Sequence, residues 1–189
     1  MNKVMVEISA RHCHLTREHV DILFGAGYQL TNKKDLSQPG QFACEEKITV
    51  EGPKGSLKMS ILGPERPDSQ VEVSFTEARQ LGITVPVRES GAVQGCPGCT
   101  LIGPAGTVEL DCGVMAAKRH MHITPEDAVV FGVVDKQIIG IKVGENDREL
   151  TFGDVIVRVS PKYATAVHVD TDEANACGIT GTVDGIVVL

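Results

Sequence analysis

Two short segments of this chain place histidines where a metal ion can use them. His12-Cys13-His14 and His120-Met121-His122 hold four of the six histidines in 189 residues. Side chains of an extended backbone alternate with a period of two, so both imidazoles of a His-x-His share one face. Such a pair can chelate one ion or bridge toward two. The residue between them points the other way, which puts Cys13 in the interior. A single His-x-His is more often a surface or capping pair than a ligand pair. A second copy in a matching context changes that balance.

The context does match. Arg11-His12-Cys13-His14-Leu15-Thr16-Arg17-Glu18 and Arg119-His120-Met121-His122-Ile123-Thr124-Pro125-Glu126 agree at five of eight positions. Downstream, Val71-Glu72-Val73-Ser74-Phe75-Thr76-Glu77-Ala78 leads to Gly82-Ile83-Thr84, and Val167-His168-Val169-Asp170-Thr171-Asp172-Glu173-Ala174 leads to Gly178-Ile179-Thr180. The offset falls from 108 residues (His12 to His120) to 96 (Glu72 to His168), so the second copy is about a dozen residues shorter between its motifs. We read a duplicated unit with halves of roughly 1–93 and 94–189. Glu72 and His168 then hold equivalent positions, each between two valines. Each half thus offers three ligands: His12, His14 and Glu72 in one, His120, His122 and His168 in the other. Three protein ligands with an open position mark a catalytic zinc site rather than a structural one, and imidazole with one carboxylate suits zinc, although Co, Ni or Fe also accept such donors. His19, outside the pattern, reads as a polar helix residue.

The elements that must position these ligands are short. Thr16 and Thr124 predict N-caps, with Pro125 at the first helical position, and the helices end near Gly25 and Gly132. Ser74-x-x-Glu77 and Asp170-x-x-Glu173 predict capping boxes, with Gly82 and Gly178 in the left-handed position that stops each helix. Alternation in Lys47–Glu51, Ser56–Ile61 and Val155–Val159 predicts strands, and Gly52-Pro53-Lys54-Gly55 and Gly103-Pro104-Ala105-Gly106 predict hairpin turns. The fold class is mainly β with short helices: two β-barrel domains capped by short α-helices, related by a pseudo-symmetric internal repeat, with a sandwich as the alternative.

Composition bounds the partners. Aromatic residues are 4% of the chain and Trp is absent, so the core rests on Val, Ile, Leu and Ala. A net charge of −7 with no basic run argues against nucleic acid. An anionic substrate would instead need local positive charge, which metal ions and Arg66 supply. Arg66 sits between prolines in Gly63-Pro64-Glu65-Arg66-Pro67, six residues before Glu72, and a fixed guanidinium suits phosphate. The repeat places Lys162 opposite it. Arg88-Glu89-Ser90-Gly91-Ala92 is a weaker anion candidate through the Ser90 hydroxyl. No apolar run is long enough to span a membrane, and the start of the chain does not read as a signal peptide. A cytoplasmic protein with free thiols is expected. Cys96-Pro97-Gly98-Cys99 has redox or zinc-knuckle spacing but no second such pair, and reads first as a tight turn.

These motifs together resemble the PduL-type phosphotransacylases, or phosphate propanoyltransferases. The resemblance covers nearly the whole chain. It rests on Ser9-x-Arg11-His12-x-His14-Leu15, Gly63-Pro64-x-Arg66, Val71-Glu72-Val73, Arg88-x-Ser90-Gly91, Lys118-Arg119-His120-x-His122 and Ala166-Val167-His168. It implies that the N-terminal strand joins the second barrel, giving 11–119 as the first barrel and 1–10 with 120–189 as the second. It also implies a dinuclear zinc site, two Zn2+ per chain, on His12, His14, Glu72, His120, His122 and His168. Arg66 becomes the catalytic, phosphate-binding residue with Ser90 beside it, and Ser9, Lys34, Leu62 and Asn175 become coenzyme A contacts. Where the family pattern leads us to expect a further coenzyme-binding arginine, this chain has Ser60.

The implied reaction is acyl-CoA (propanoyl-CoA or acetyl-CoA) plus phosphate giving acyl phosphate plus coenzyme A, by direct transfer without a covalent acyl-enzyme. Such chemistry serves propanediol degradation or general acetate and propionate metabolism. The chain starts directly at the first strand, without the extension that targets many relatives to a bacterial microcompartment, so the cytoplasm is expected and the microcompartment is the alternative. A homodimer is the expected assembly. The rival reading is a dinuclear zinc hydrolase of a thioester, ester or phosphate, and a zinc-stabilised binding module is the non-enzymatic one.

Overall fold

A computed structural model describes residues 3–144 and 146–189, so the first two residues of the 1–10 segment lie outside the described residues. The chain forms two compact units. One takes the start of the chain up to Ala10, Ser37–Pro39 and Lys118–Leu189; the other takes Arg11–Leu36 and Gly40–Ala117. In chain order the elements as far as Ala117 are β1 (Lys3–Ile8), β2 (His12–His14), α1 (Arg17–Phe24), β3 (Asn32–Asp35), β4 (Phe42–Gly52), β5 (Gly55–Gly63), β6 (Gln70–Glu72), α2 (Phe75–Leu81), β7 (Val87–Arg88), β8 (Cys99–Ile102), β9 (Thr107–Leu110) and β10 (Val114–Ala117). After it come β11 (His120–Ile123), α3 (Pro125–Phe131), β12 (Ile138–Val143), β13 (Leu150–Val159), β14 (Ala166–Val169), α4 (Thr171–Cys177) and β15 (Val183–Val188).

The helix signals hold in detail. The hydroxyls of Thr16 and Thr124 accept from the amides of His19 and Asp127. Both capping boxes form, Ser74 with Glu77 and Asp170 with Glu173. Gly82, Gly132 and Gly178 terminate their helices at φ of 77°, 68° and 73°, the left-handed region that glycine occupies without a Cβ clash. Gly25 ends α1 differently, at φ 108° and ψ 149°.

The repeat is visible in the strand pairing. β2 lies between β5, which is parallel to it, and β6, which is antiparallel. β11 lies in the same way between β13 and β14. β10 runs parallel beside β6, and β1 runs parallel beside β14. β1 therefore stands beside the β11–β14 pair as β10 stands beside the β2–β6 pair. Most of the length difference falls between α1 and β4, where the first half inserts a segment carrying β3.

Only one of the two expected barrels is closed. The strands β1-β14-β11-β13-β12-β15 form a closed barrel, because β15 pairs with both β12 and β1. The other unit is a nine-stranded sheet in the order β7-β10-β6-β2-β5-β4-β8-β9, with β3 on β4. The expectation of two barrels is corrected on that point, and the physical reason is specific. β4, the counterpart of β12, pairs with the β8–β9 hairpin, while β10, the counterpart of β1, pairs with the two-residue β7. Among the described residues no strand joins those two edges as β15 does. Each unit has its own apolar core. Leu23, Ile48, Met59, Ile61, Leu81 and Leu101 fill one, and Val6, Met121, Ile123, Ile141, Val157 and Val167 the other. The side chains are mostly aliphatic, as the near-absence of aromatics requires.

Candidate metal and anion site

Strand register assembles both ligand sets. On β2 and β6, His12 stands opposite Glu72, and His14 opposite Gln70. On β11 and β14, His120 stands opposite His168, and His122 opposite Ala166. The third ligand of each set thus faces the first histidine across one antiparallel pair, where side chains on the same face approach closely. In each set one donor atom from each of the three residues lies within 4.8 Å of the others. His12, His14 and Glu72 are all buried; of the second set His122 is buried and the other two are half-buried.

The donors are also oriented. Nδ1 of His14 donates to the Leu62 carbonyl at 3.1 Å, and Nδ1 of His120 to the Lys118 carbonyl at 2.8 Å. A backbone carbonyl can only accept, so it fixes the proton on Nδ1 and presents the lone pair of Nε2. Burial, with His12 and Arg66 nearby, holds the His14 pKa down to about 3, so its imidazole is neutral at physiological pH. Oε2 of Glu72 lies 3.5 Å from Nε2 of His12. In the second set the His120 and His168 rings stack at 5.0 Å, and Tyr163 packs on His122 at 4.2 Å. Glu7, opposite His168 on β1, brings Oε2 to 3.9 Å from Nδ1 of His168 and accepts a hydrogen bond from Ser37. Five imidazoles, two of them with the proton fixed on Nδ1, and one carboxylate form a donor set that fits a borderline-soft divalent cation such as zinc.

A repeated ion pair braces each set. Arg11, immediately before the first His-x-His, donates through Nη1 to Glu77 at 2.8 Å and through Nε to the Lys58 carbonyl at 3.1 Å. The other Glu77 oxygen accepts from the Ser74 amide in the capping box. Arg119 does the same with Glu173 at 2.7 Å and the Gly153 carbonyl at 2.9 Å. Each arginine therefore ties the His-x-His strand to the helix that follows the third ligand.

The anion candidates also meet. Arg66 Nη1 donates to the Ser90 hydroxyl at 3.1 Å. Gln70, which no sequence motif flagged, donates through Nε2 to that hydroxyl at 2.7 Å and to Glu72 Oε1 at 2.6 Å, and accepts from the Gly91 amide at 2.8 Å. Of the coenzyme candidates, Lys34 is exposed on β3 and Leu62 half-buried on β5, in the sheet unit; Ser9 is half-buried and Asn175 exposed on α4, in the barrel unit. Ser9 is anchored by its amide to the Val169 carbonyl at 2.8 Å. Ser60, in the place of the expected arginine, lies on β5 opposite His12. Lys162 is exposed in a turn. His19 bonds to Ser69 at 2.7 Å beside the cap of α1.

The cysteines take no part in either ligand set. Cys13 is buried, as its place between two ligands requires, and burial pushes its thiol pKa far up. Cys99 joins the core of the sheet unit, while Cys96 packs with Val93 and Met115 and against Cys112. The two thiols of Cys-Pro-Gly-Cys thus enter different clusters.

Two three-ligand clusters on paired β-strands are candidate metal sites of a mainly β protein, and in one of them the ligand Glu72 is linked through Gln70 and Ser90 to Arg66. The chain belongs to the phosphate propanoyltransferase family, whose family model matches residues 5–180. It is 56% identical to a phosphate propanoyltransferase of Enterococcus faecalis over 99% of this chain and 89% of that one. It is 52% identical to one from Clostridioides difficile (97% and 88% covered) and 49% identical to one from Thermotoga maritima (92% and 83% covered). It is accordingly an acyltransferase.

Proposed function

We propose that this chain interconverts acyl-CoA and phosphate with acyl phosphate and coenzyme A, with propanoyl or acetyl as the acyl group, at a dinuclear zinc site. His12, His14 and Glu72 hold one ion, and His120, His122 and His168 the other. The observation that carries the reading is the chain of contacts from Arg66 through Ser90 and Gln70 to Glu72. It joins an anion-binding group to a metal-ligand set within one unit, as transfer to phosphate needs. When bound, divalent zinc supplies Lewis-acid polarisation of a thioester carbonyl and positive charge for anionic groups.

The protein's own groups do the rest. Arg66 holds phosphate through its planar fork, with the Ser90 hydroxyl donating beside it. The neutral, Nδ1-anchored His14 cannot serve as a proton donor near neutral pH, which leaves it to ligand duty. A phosphate oxygen forms the new bond to the acyl carbon, the carbon–sulfur bond breaks, and the proton given up by phosphate ends on the departing thiol. We take the transfer to be direct rather than through an acyl-enzyme, since the Ser90 hydroxyl is held by the donors Arg66 and Gln70 and not by a base. We assign the coenzyme to Ser9, Lys34, Leu62 and Asn175.

The test combines metal analysis with thiol release from acetyl-CoA and propanoyl-CoA, with and without phosphate. About two zinc per chain and phosphate-dependent release are expected, and Arg66→Ala should abolish turnover while retaining metal. Thiol release without phosphate would instead identify a hydrolase, and an active Arg66→Ala would remove the phosphate assignment.

A further inference from the structure

We propose that Gln70 is a positioning residue, which aligns the metal ligand Glu72 and sets the Ser90 hydroxyl to donate to phosphate; this rests on the functional reading above. The orientation of the Gln70 amide is not a free choice. The Gly91 amide can only donate, so the group facing it at 2.8 Å is the Gln70 carbonyl oxygen. The amino group therefore faces Glu72 Oε1 and the Ser90 oxygen, at 2.6 and 2.7 Å. Its two N–H bonds are divided between a metal ligand and an anion-site hydroxyl.

Each partner is constrained in turn. Ser90 Oγ accepts from Gln70 and from Arg66 Nη1. A hydroxyl oxygen has two acceptor positions and one proton, so with both positions occupied by donors the proton must point to an acceptor elsewhere. A phosphate oxygen held by Arg66 is such an acceptor. At Glu72, the Gln70 bond engages Oε1 and leaves Oε2 on the side of His12 Nε2. Hydrogen bonds of this kind to a ligating carboxylate set its direction and tune metal affinity.

The repeat supplies the internal control. Gln70 stands opposite His14 and Ala166 stands opposite His122, in the same register of equivalent strands. Both side chains are buried. The fold thus accepts alanine here, and burying an amide gains nothing structurally that the second copy needs. The amide occurs only in the unit that also carries Arg66 and Ser90.

The variants are Gln70→Ala, which installs the residue of the second copy, and Gln70→Glu, which keeps the shape but replaces the donating group with a carboxylate beside Glu72. Two quantities are read: the KM for phosphate against that for acyl-CoA, and the chelator concentration that removes half of the zinc. For both variants we expect the phosphate KM to rise about tenfold or more with the acyl-CoA KM little changed, and half-removal to need about tenfold less chelator. Gln70→Glu should be at least as impaired as Gln70→Ala, since its carboxylate cannot donate to Ser90 and sets a second acceptor against Glu72. Values within twofold of wild type on both readouts, or equal rises in both KM values, overturn the proposal. Absence of phosphate-dependent turnover in the wild-type chain would count against the function instead. The chelator readout, which needs no turnover, still judges Gln70.

Discussion

The ion pair between Arg11 and Glu77 gives a quantitative test of how the ligand strands are held. Consider Arg11→Met, which keeps an apolar stem but removes both donated bonds, to Glu77 and to the Lys58 carbonyl. The Glu77 side chain is 8% exposed, so its carboxylate would stay buried with one oxygen still bonded to the Ser74 amide. Hydrogen bonds to charged groups contribute about 1.5–3 kcal/mol, and a buried charge left without its partner costs more. Arg11 itself is 42% exposed, so solvent screens its end of the pair and the loss falls toward the lower part of that range. We expect Arg11→Met to destabilise the metal-free protein by about 2 kcal/mol. Glu77→Gln alone should cost about 1–2 kcal/mol, and a double-mutant cycle should return a coupling of about 1 kcal/mol. Arg119→Met provides a built-in replicate, because its pair with Glu173 repeats the geometry at 27% and 17% exposure. Urea unfolding followed by circular dichroism measures these differences, and chelator competition on the zinc-loaded protein should show weaker retention in both arginine variants. A loss below about 0.5 kcal/mol for Arg11→Met, or a coupling indistinguishable from zero, would refute the bracing role.

Three further outcomes follow from particular side chains. His14 is neutral in the folded chain down to about pH 3 but titrates near its ordinary value of about 6.5 when unfolded. The unfolded state therefore binds the extra proton between those values, and the stability it confers, complete above about pH 6.5, is lost as pH falls through that window. Relative to His14→Gln, the metal-free wild type should lose about 2 kcal/mol between pH 7 and 5 by urea unfolding, and a constant gap would contradict the assignment. At Gly98 a Cβ would come 1.9 Å from the Leu110 carbonyl oxygen, so Gly98→Ala should cost about 3 kcal/mol or prevent folding; an unchanged unfolding midpoint would show that the Cys-Pro-Gly-Cys turn does not pack as described. Of the six cysteines only Cys112 is half-exposed, and burial raises Cys44 to about 11 and Cys99 to about 12, so a disulfide thiol reagent should label one thiol quickly in the native protein and all six after unfolding. Two fast thiols would place a second cysteine at the surface.

What was legible in the sequence was local or repeated. Thr16, Thr124, Ser74 with Glu77 and Asp170 with Glu173 act within three residues of themselves, so their caps follow from spacing alone. The equivalence of Glu72 and His168 came from alignment of the two halves, and their register opposite His12 and His120 gives it a physical basis. What was not legible depends on pairings between distant segments. Barrel closure needs β15 to meet both β1 and β12, and no local pattern in Val183–Val188 specifies two partners. Gln70 is a polar residue in a three-residue strand, and its role depends on Ser90 and Gly91 some twenty positions on. The one available signal was that it shares a strand face with Glu72, two residues away, where the second copy has Ala166. Arg11 and Arg119 repeat, as do Glu77 and Glu173, but nothing in the spacing joins each arginine to its glutamate.

The placement of β1 has a consequence for how the chain is made. Its neighbours in the barrel are Ala166–Val169 and Val183–Val188, so it pairs with strands that are synthesised long after it. Arg11–Ala117 can assemble its sheet during translation, because all of its strands are already out. The barrel must wait until Val183–Val188 has been made, with the edges of β14 and β15 unsatisfied until β1 docks between them. During that interval the nascent chain offers strand edges to any neighbouring polypeptide, so slower synthesis of the segment from β14 to β15 would lengthen its exposure to mispairing rather than help it fold.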